Sequence, residues 1–200
     1  DELLRYNITR LESQTGLRYG DPDAPLLFSV RSGAPMSLPG AMATFLNIGL
    51  NDEITLKLST RPNYGWTAWD CYRRLIQSWG MAYGIDRDEF DAVMISFKRR
   101  HKVKLKTQFT PLQMRQMSES YKKVLARHKL ELEQDVFLQV KQAIMHVLDS
   151  WNTDRARLYR QKLQIADDWG TAVTIQKMVL GNICLDSGTG VLFTHAPWNK

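Results

Sequence analysis

Arg31 ends a short apolar run and is followed by Ser32, Gly33 and Ala34, a stretch with almost no side-chain bulk. A guanidinium meets two phosphate oxygens at once. A glycine lets backbone approach a ligand, and successive N–H groups in such a loop form an anion-binding nest. This V-R-S-G-A stretch therefore reads either as a phosphate cradle or as a structural arginine bonded to nearby carbonyls. It is not a Walker motif, since nothing matches G-x-x-x-x-G-K-[ST]. A second glycine-bearing turn, D-S-G-T-G at residues 186–190, could pack closely over a nucleotide, although composition favours a plain hairpin turn. Arg73 and Arg74 are both helical; one can reach a ligand while the other pairs with Asp70 or solvent. The four histidines, His101, His128, His146 and His195, lie in no metal-ligand spacing and in no nucleophile motif. Asp167 and Asp168 are adjacent, so they point apart, and capping or turn duty suits them better than a shared proton.

Three regions must position these groups. Residues 1–50 open with an amphipathic helix, turn through Y-G-D-P-D-A-P, and form a strand at 26–31 before the thin loop. Residues 51–150 read as helices. Thr67 can cap one whose Trp69, Tyr72, Ile76 and Trp79 share a face, with Asp70, Arg74 and Gln77 on another. Phe90, Val93, Met94 and Phe97 mark a second helix. T-P-L-Q at Thr110 opens a third through a capping box with Gln113, carrying the stripe Met117, Tyr121, Val124 and Leu125. A fourth has its stripe at Val136, Val140, Ile144 and Leu148. The basic run at 99–106 reads as a solvated linker, because no aromatic residue interleaves with it. Residues 151–200 begin with a helix capped by Asn152 or Thr153. An alternating strand follows, with Val173, Ile175 and Val179 on one side, and V-L-F-T at 191–194 returns as the second strand of a hairpin.

The 200 residues suffice for one domain or two small lobes, and the 44% hydrophobic content supports a packed core. The net charge of +6 suits an anionic partner, and nucleic acid is the reading that rests on charge alone. The two cysteines, Cys71 and Cys184, are in no metal spacing and fit a reducing cytoplasm. No stretch has the length or purity of a membrane helix, and the N-terminus is not a signal peptide. The chain does not begin with Met, as expected of a piece of a longer protein.

Beyond spacing, S-V-R-S-G-A-P-M-S-L-P-G-A-M-A-T-F-L-N-I-G-L-N-D resembles the signature of the pyruvate, phosphate dikinase nucleotide-binding domain. The segment A-W-D-C-Y-R-R-L-I-Q-S-W-G resembles that family's Y-R-R-F-I-Q-M-Y-G. The stretch from S-W-N-T-D-R-A-R-L-Y-R through W-G-T-A-V-T-I-Q-K-M-V-L-G-N to S-G-T-G-V-L-F-T resembles a third block, in family order and spacing. The resemblance covers nearly the whole chain.

It implies an α+β, helix-rich chain: a partial ATP-grasp domain with an inserted helical subdomain. Residues 1–50 would be a first-lobe segment with the phosphate-binding loop, 51–150 the helical subdomain, and 151–200 a second-lobe segment with the adenine-hinge strand. Arg31 and Arg74 match arginines at the ATP phosphates and would be the catalytic cations. Gln176, Met178 and Val179 match the adenine hinge, and Gly188, Thr189 and Gly190 match a turn near the nucleotide. ATP is the implied substrate and Mg2+ the implied cofactor, with its ligands outside this chain. The implied partners are a phosphohistidine swivel domain and a pyruvate-binding barrel domain, in a cytoplasmic enzyme that makes phosphoenolpyruvate. This stretch alone is not expected to catalyse the reaction. Apolar edges of a partial clamp leave room for a homodimer. Ala43 stands where the family has Asp, and His195 and Ala196 replace the usual Arg and Asp or Asn. These differences favour the alternative of a degenerate module that binds nucleotide or a partner without phosphotransfer.

Overall fold

The computed structural model describes residues 1–33, 40–166, 168–184, 186–190, 192 and 194. Residues 34–39, most of the expected phosphate loop, lie outside the described residues, as do Asp167, His195 and Ala196. The chain is α+β and helix-rich. Its elements run α1 (Glu2–Thr15), β1 (Phe28–Ser32), β2 (Thr44–Ile48), α2 (Asp52–Ser59), α3 (Gly65–Ala82), α4 (Arg87–His101), α5 (Pro111–Arg127), α6 (Val136–Asp149), α7 (Asp154–Lys162) and β3 (Val173–Lys177). Short 3-10 turns at Lys106–Gln108 and Ser150–Asn152 precede α5 and α7.

The strands form one antiparallel sheet in the order β2-β1-β3. In the β1–β2 register, Phe28 faces Ile48 while Val30 faces Phe45, so β2 carries one extra residue. Asn47 absorbs it at φ 64, a left-handed conformation that asparagine tolerates. Its amide then donates to the Cys71 carbonyl at 3.1 Å and ties β2 to α3. The next residue but one, Gly49, has φ 103, and a Cβ there would lie 2.8 Å from the Tyr19 ring. Its N–H donates to Gln139 Oε1 at 2.7 Å, while Gln139 Nε2 donates to the Leu50 and Glu133 carbonyls. This buried amide thus meets its hydrogen-bonding needs and locks α6 to the end of β2.

Trp69, Tyr72, Ile76 and Trp79 are buried as their spacing predicts, and α3 becomes the central helix, packed on β2, α2 and α5. The Thr110–Gln113 capping box opens α5, and Met117, Tyr121, Val124 and Leu125 bury its inner face. Thr153, not Asn152, caps α7.

Four expectations shift. The first strand begins two residues later than 26 and ends one later than 31. Thr67 is no cap: α3 starts at Gly65, and the Thr67 hydroxyl donates to the Asn182 carbonyl at 2.6 Å. The buried face of α6 is Gln139, Val140, Ala143 and Val147, and Leu148 is exposed. A strict four-residue stripe turns by roughly 40° at each step, so its ends leave the core. Finally, β3 pairs with β1 over all five residues. Of residues 191–194, Val191 and Phe193 lie outside the described residues, and Leu192 and Thr194 are in no strand. A local turn signal carries no information about a partner so far away in sequence.

Candidate functional site

Alternation along β1 buries Val30 and exposes Arg31. Arg31 lies between Thr44 of β2 and Thr174 of β3, both exposed. Its Nη2 donates to Gln176 Oε1 at 2.5 Å. Gln176 is two residues beyond Thr174, so it shares that face. The result is an open sheet surface where Arg31 stands beside two threonine hydroxyls and an amide. Gly33 has a different use from the one its type suggests. A Cβ there would lie 3.0 Å from Thr174 Oγ1 and 3.4 Å from Ala172 Cβ, and its N–H donates to the Ala172 carbonyl at 2.7 Å. The missing side chain lets β1 approach the start of β3.

Arg74 belongs to a different constellation, centred on Asp70. This carboxylate is fully buried. Oδ1 accepts from Arg73 Nη2 at 2.9 Å and from Lys106 Nζ at 3.1 Å. Oδ2 accepts from Lys106 Nζ at 3.1 Å and Asn182 Nδ2 at 3.4 Å and forms an ion pair with Arg74 Nε at 3.0 Å. Burial would raise the Asp70 pKa, but Arg73, Arg74 and Lys106 together hold it below the ordinary carboxylate value. Lys106 is held below the ordinary lysine value by burial, with the two arginines adding to the effect and Asp70 opposing it. Burial and the Asp70 charge push the Cys71 thiol up to about 11, which makes it an inert core group. Arg73 is buried and also donates to Gln77 Oε1, whereas the Arg74 side chain is 45% exposed. The helical spacing from Asp70 offered either arginine as its partner, and it takes both. Lys106 was hidden in the basic run. Arg99, Arg100 and His101 of that run form the last turn of α4, where positive charge suits the helix dipole, but Lys106 folds inward.

The end of β3 and the segment after it connect the two places. Gln176 binds Arg31, the Met178 N–H donates to the Leu27 carbonyl at 2.8 Å, and Asn182 binds both Asp70 and Thr67. Met178 lines an apolar groove of about 190 Å³ with Leu27, Leu58, Tyr64, Leu180 and Ile183. Val179 is 86% exposed and lines nothing there. Gly188 and Thr189 fold back on Gly181, where a Cβ would collide with Thr189 Oγ1 and sit 2.7 Å from the Gly188 carbonyl. Gly190 lies in open space. Arg31 and Arg74 share no contact; each is fastened to this segment, Arg31 by Gln176 and Arg74 through Asp70 and Asn182.

Among the described residues, no group of three or more His, Cys, Asp or Glu could hold a metal ion. No helix among them is long and apolar enough to cross a membrane.

Residues 1–200 match the family model described as the pyruvate phosphate dikinase AMP/ATP-binding domain. The chain is similar to the chloroplastic pyruvate, phosphate dikinase of Mesembryanthemum crystallinum, with 42% identity over 94% of this chain and 20% of that relative. It is 40% identical to the pyruvate, phosphate dikinase of Rhizobium meliloti over 98% of this chain and 22% of the relative. The corresponding protein of Giardia intestinalis is 40% identical over 96% of this chain and 22% of the relative. The chain thus spans about a fifth of the length of these curated relatives.

Proposed function

This chain belongs to the pyruvate phosphate dikinase AMP/ATP-binding domain family, and from that premise we propose that it is the ATP-binding part of a pyruvate, phosphate dikinase with an ATP-grasp fold. The observation that carries this reading is the fastening of two arginines, from β1 and α3, to one segment running from Gln176 to Asn182. Arg31 and the outer nitrogens of Arg74 contact the phosphates. Met178, with Gln176 and Val179 beside it, forms the adenine side, and the turn at Gly188, Thr189 and Gly190 closes over the nucleotide. Residues 1–50 and 151–200 contribute the two clamp segments and 51–150 the helical subdomain. Fixed cations stabilise charge on a transferring phosphoryl group, the main contribution of protein to this chemistry.

In the whole protein, ATP passes its β,γ-pyrophosphoryl group to a histidine of a swivelling domain and leaves AMP. The γ-phosphate then goes to inorganic phosphate, giving pyrophosphate. The β-phosphate passes from the histidine to pyruvate on a barrel domain, giving phosphoenolpyruvate. Magnesium supplies charge neutralisation in such transfers, but the described residues do not fit as its ligands. Both oxygens of the buried carboxylate, Asp70, are committed to cations. The two unpaired thiols, Cys71 and Cys184, suit a reducing cytoplasm.

The test uses the full-length protein and Mg-ATP labelled at the β- or the γ-phosphate. The expected result is β-label in an acid-labile phosphohistidine, retained after phosphate is added and lost to pyruvate. Label from γ alone overturns the dikinase reading. Ala43 favours a second reading, a module that binds without phosphotransfer. ATP binding with no label at all is its signature.

A further inference from the structure

Three cations surround one carboxylate at Asp70, and they are not equivalent. Arg73 is buried, takes Oδ1 with two nitrogens and gives a third to Gln77, so each of its three nitrogens is engaged within the protein. Its guanidinium also lies 5.4 Å from the Tyr121 ring centroid. Arg73 therefore balances Asp70 and completes the core. Arg74 and Lys106 are left as surplus positive charge at one spot. Both bind the same oxygen, Oδ2, at 3.0 and 3.1 Å, so their cationic groups are neighbours despite their mutual repulsion. Both reach solvent, with side chains 45% and 27% exposed. Arg74 meets Asp70 through an ion pair at Nε, and no hydrogen-bond partner is seen for its outer nitrogens among the described residues. Lys106 is propped from behind by the Trp66 ring, 5.3 Å from Nζ.

A pair of part-exposed cations, fixed from below by a buried carboxylate, is built to meet an anion with two or more oxygens. We propose that Lys106 and Arg74 form a two-cation subsite for a phosphate group, with Asp70 as the residue that positions both. Lys106 lies in the short 3-10 turn on the connection before α5. The subsite deepens the ATP-binding reading and rests on it. Its phosphate comes either from the nucleotide's triphosphate or from free inorganic phosphate, and the two sources are separable.

The experiment is calorimetric titration of the full-length protein and its Lys106→Gln, Lys106→Arg and Arg31→Ala variants with ATP, AMP, pyrophosphate and inorganic phosphate. Asp70 keeps two arginines in Lys106→Gln, so this variant folds; a thermal melt checks that. Losing one charged donor to phosphate weakens binding by about tenfold or more. Lys106→Gln should therefore bind ATP and pyrophosphate at least about tenfold more weakly and AMP unchanged, with Lys106→Arg recovering most of the loss. A purely structural lysine would lower the melting temperature and affect AMP and ATP alike. A Lys106-dependent loss confined to inorganic phosphate assigns the subsite to free phosphate, and a loss confined to ATP and pyrophosphate assigns it to the triphosphate. Unchanged affinity for all of these anions in folded Lys106→Gln overturns the proposal. If Arg31→Ala weakens ATP binding in that case, the ATP-binding reading survives alone. If neither variant changes ATP binding, that reading falls as well.

Discussion

Arg31 and Arg74 are proposed for one ligand but sit in differently built regions. Arg31 stands on the open face of a three-stranded sheet, where its one partner among the described residues is the neutral Gln176. Arg74 stands on the central helix, where a buried carboxylate shared with Arg73 and Lys106 fixes its Nε. On the helical side, position is secured by charge: Asp70 orients its cations before any ligand arrives, and the fold depends on the arrangement. On the sheet side, position is secured by backbone pairing on both flanks of β1, and the side chain is left free for a ligand. If this contrast is real, substitutions at the two places must separate stability from binding.

The largest effect is expected at Asp70. Removing it leaves Arg73 buried with no counter-charge, a situation that costs about 3–5 kcal/mol. Asp70→Ala should lose about that much in urea denaturation, or fail to fold. A loss below about 1 kcal/mol would erase the contrast between the two regions, since it falls in the range of an exposed ion pair. The same carboxylate sets a pH dependence. Its folded pKa lies below the ordinary value of 3.8, so below that pH the unfolded chain binds the proton more readily. The stabilisation is therefore complete above the unfolded value and fades as pH falls through the folded one. Stability measured from pH 6 downward should drop there in the native protein, and this component should be missing in Asp70→Asn.

A smaller effect is expected where α3 meets its neighbours. A Cβ on Gly80 would lie 2.7 Å from both Leu125 Cδ2 and Phe90 Cζ. Phe90 is fully buried and has little room to move. Gly80→Ala should cost about 1–3 kcal/mol through overpacking, although alanine is the better helix former. A stabilised variant would mean that α3 is packed as loosely as the sheet face, and that Asp70 alone makes the helical side rigid.

The same two regions differ in how far the sequence announced them. The helical side is legible where its signals are local. The Trp69–Tyr72–Ile76–Trp79 stripe and the Thr110–Gln113 box each follow from the period of one helix and the chemistry of one cap. Its charge centre is not legible beyond the arginines, because Lys106 and Asn182 reach Asp70 across 36 and 112 residues. On the sheet side, Arg31 and Gln176 were each singled out, yet their hydrogen bond spans 145 residues and no pattern in either strand announces it. The bulge at Asn47 is likewise silent, since asparagine at φ 64 follows from the β1–β2 register and the Cys71 carbonyl together. What spacing and resemblance supplied were the individual residues; the pairings came from the fold.

The smallest effect on stability belongs to Arg31, and it gives the sharpest test of the comparison. Its side chain is exposed, its only hydrogen-bond acceptor among the described residues is a neutral amide, and Gln176 can turn to water when the arginine is removed. Arg31→Ala should therefore shift stability by no more than about 0.5 kcal/mol. Backbone pairing with Thr44 and Thr174 does not depend on the side chain. ATP-dependent phosphorylation in the full-length protein should nevertheless be lost, because Arg31 is the cation proposed to meet the phosphates on this face. A folded Arg31→Ala protein that is phosphorylated at the native rate would leave the sheet face without a role. Activity would then have to rest on the Asp70 side alone. A variant that unfolds would show that Gln176 needs its guanidinium partner, and that the two regions are built by the same rule after all.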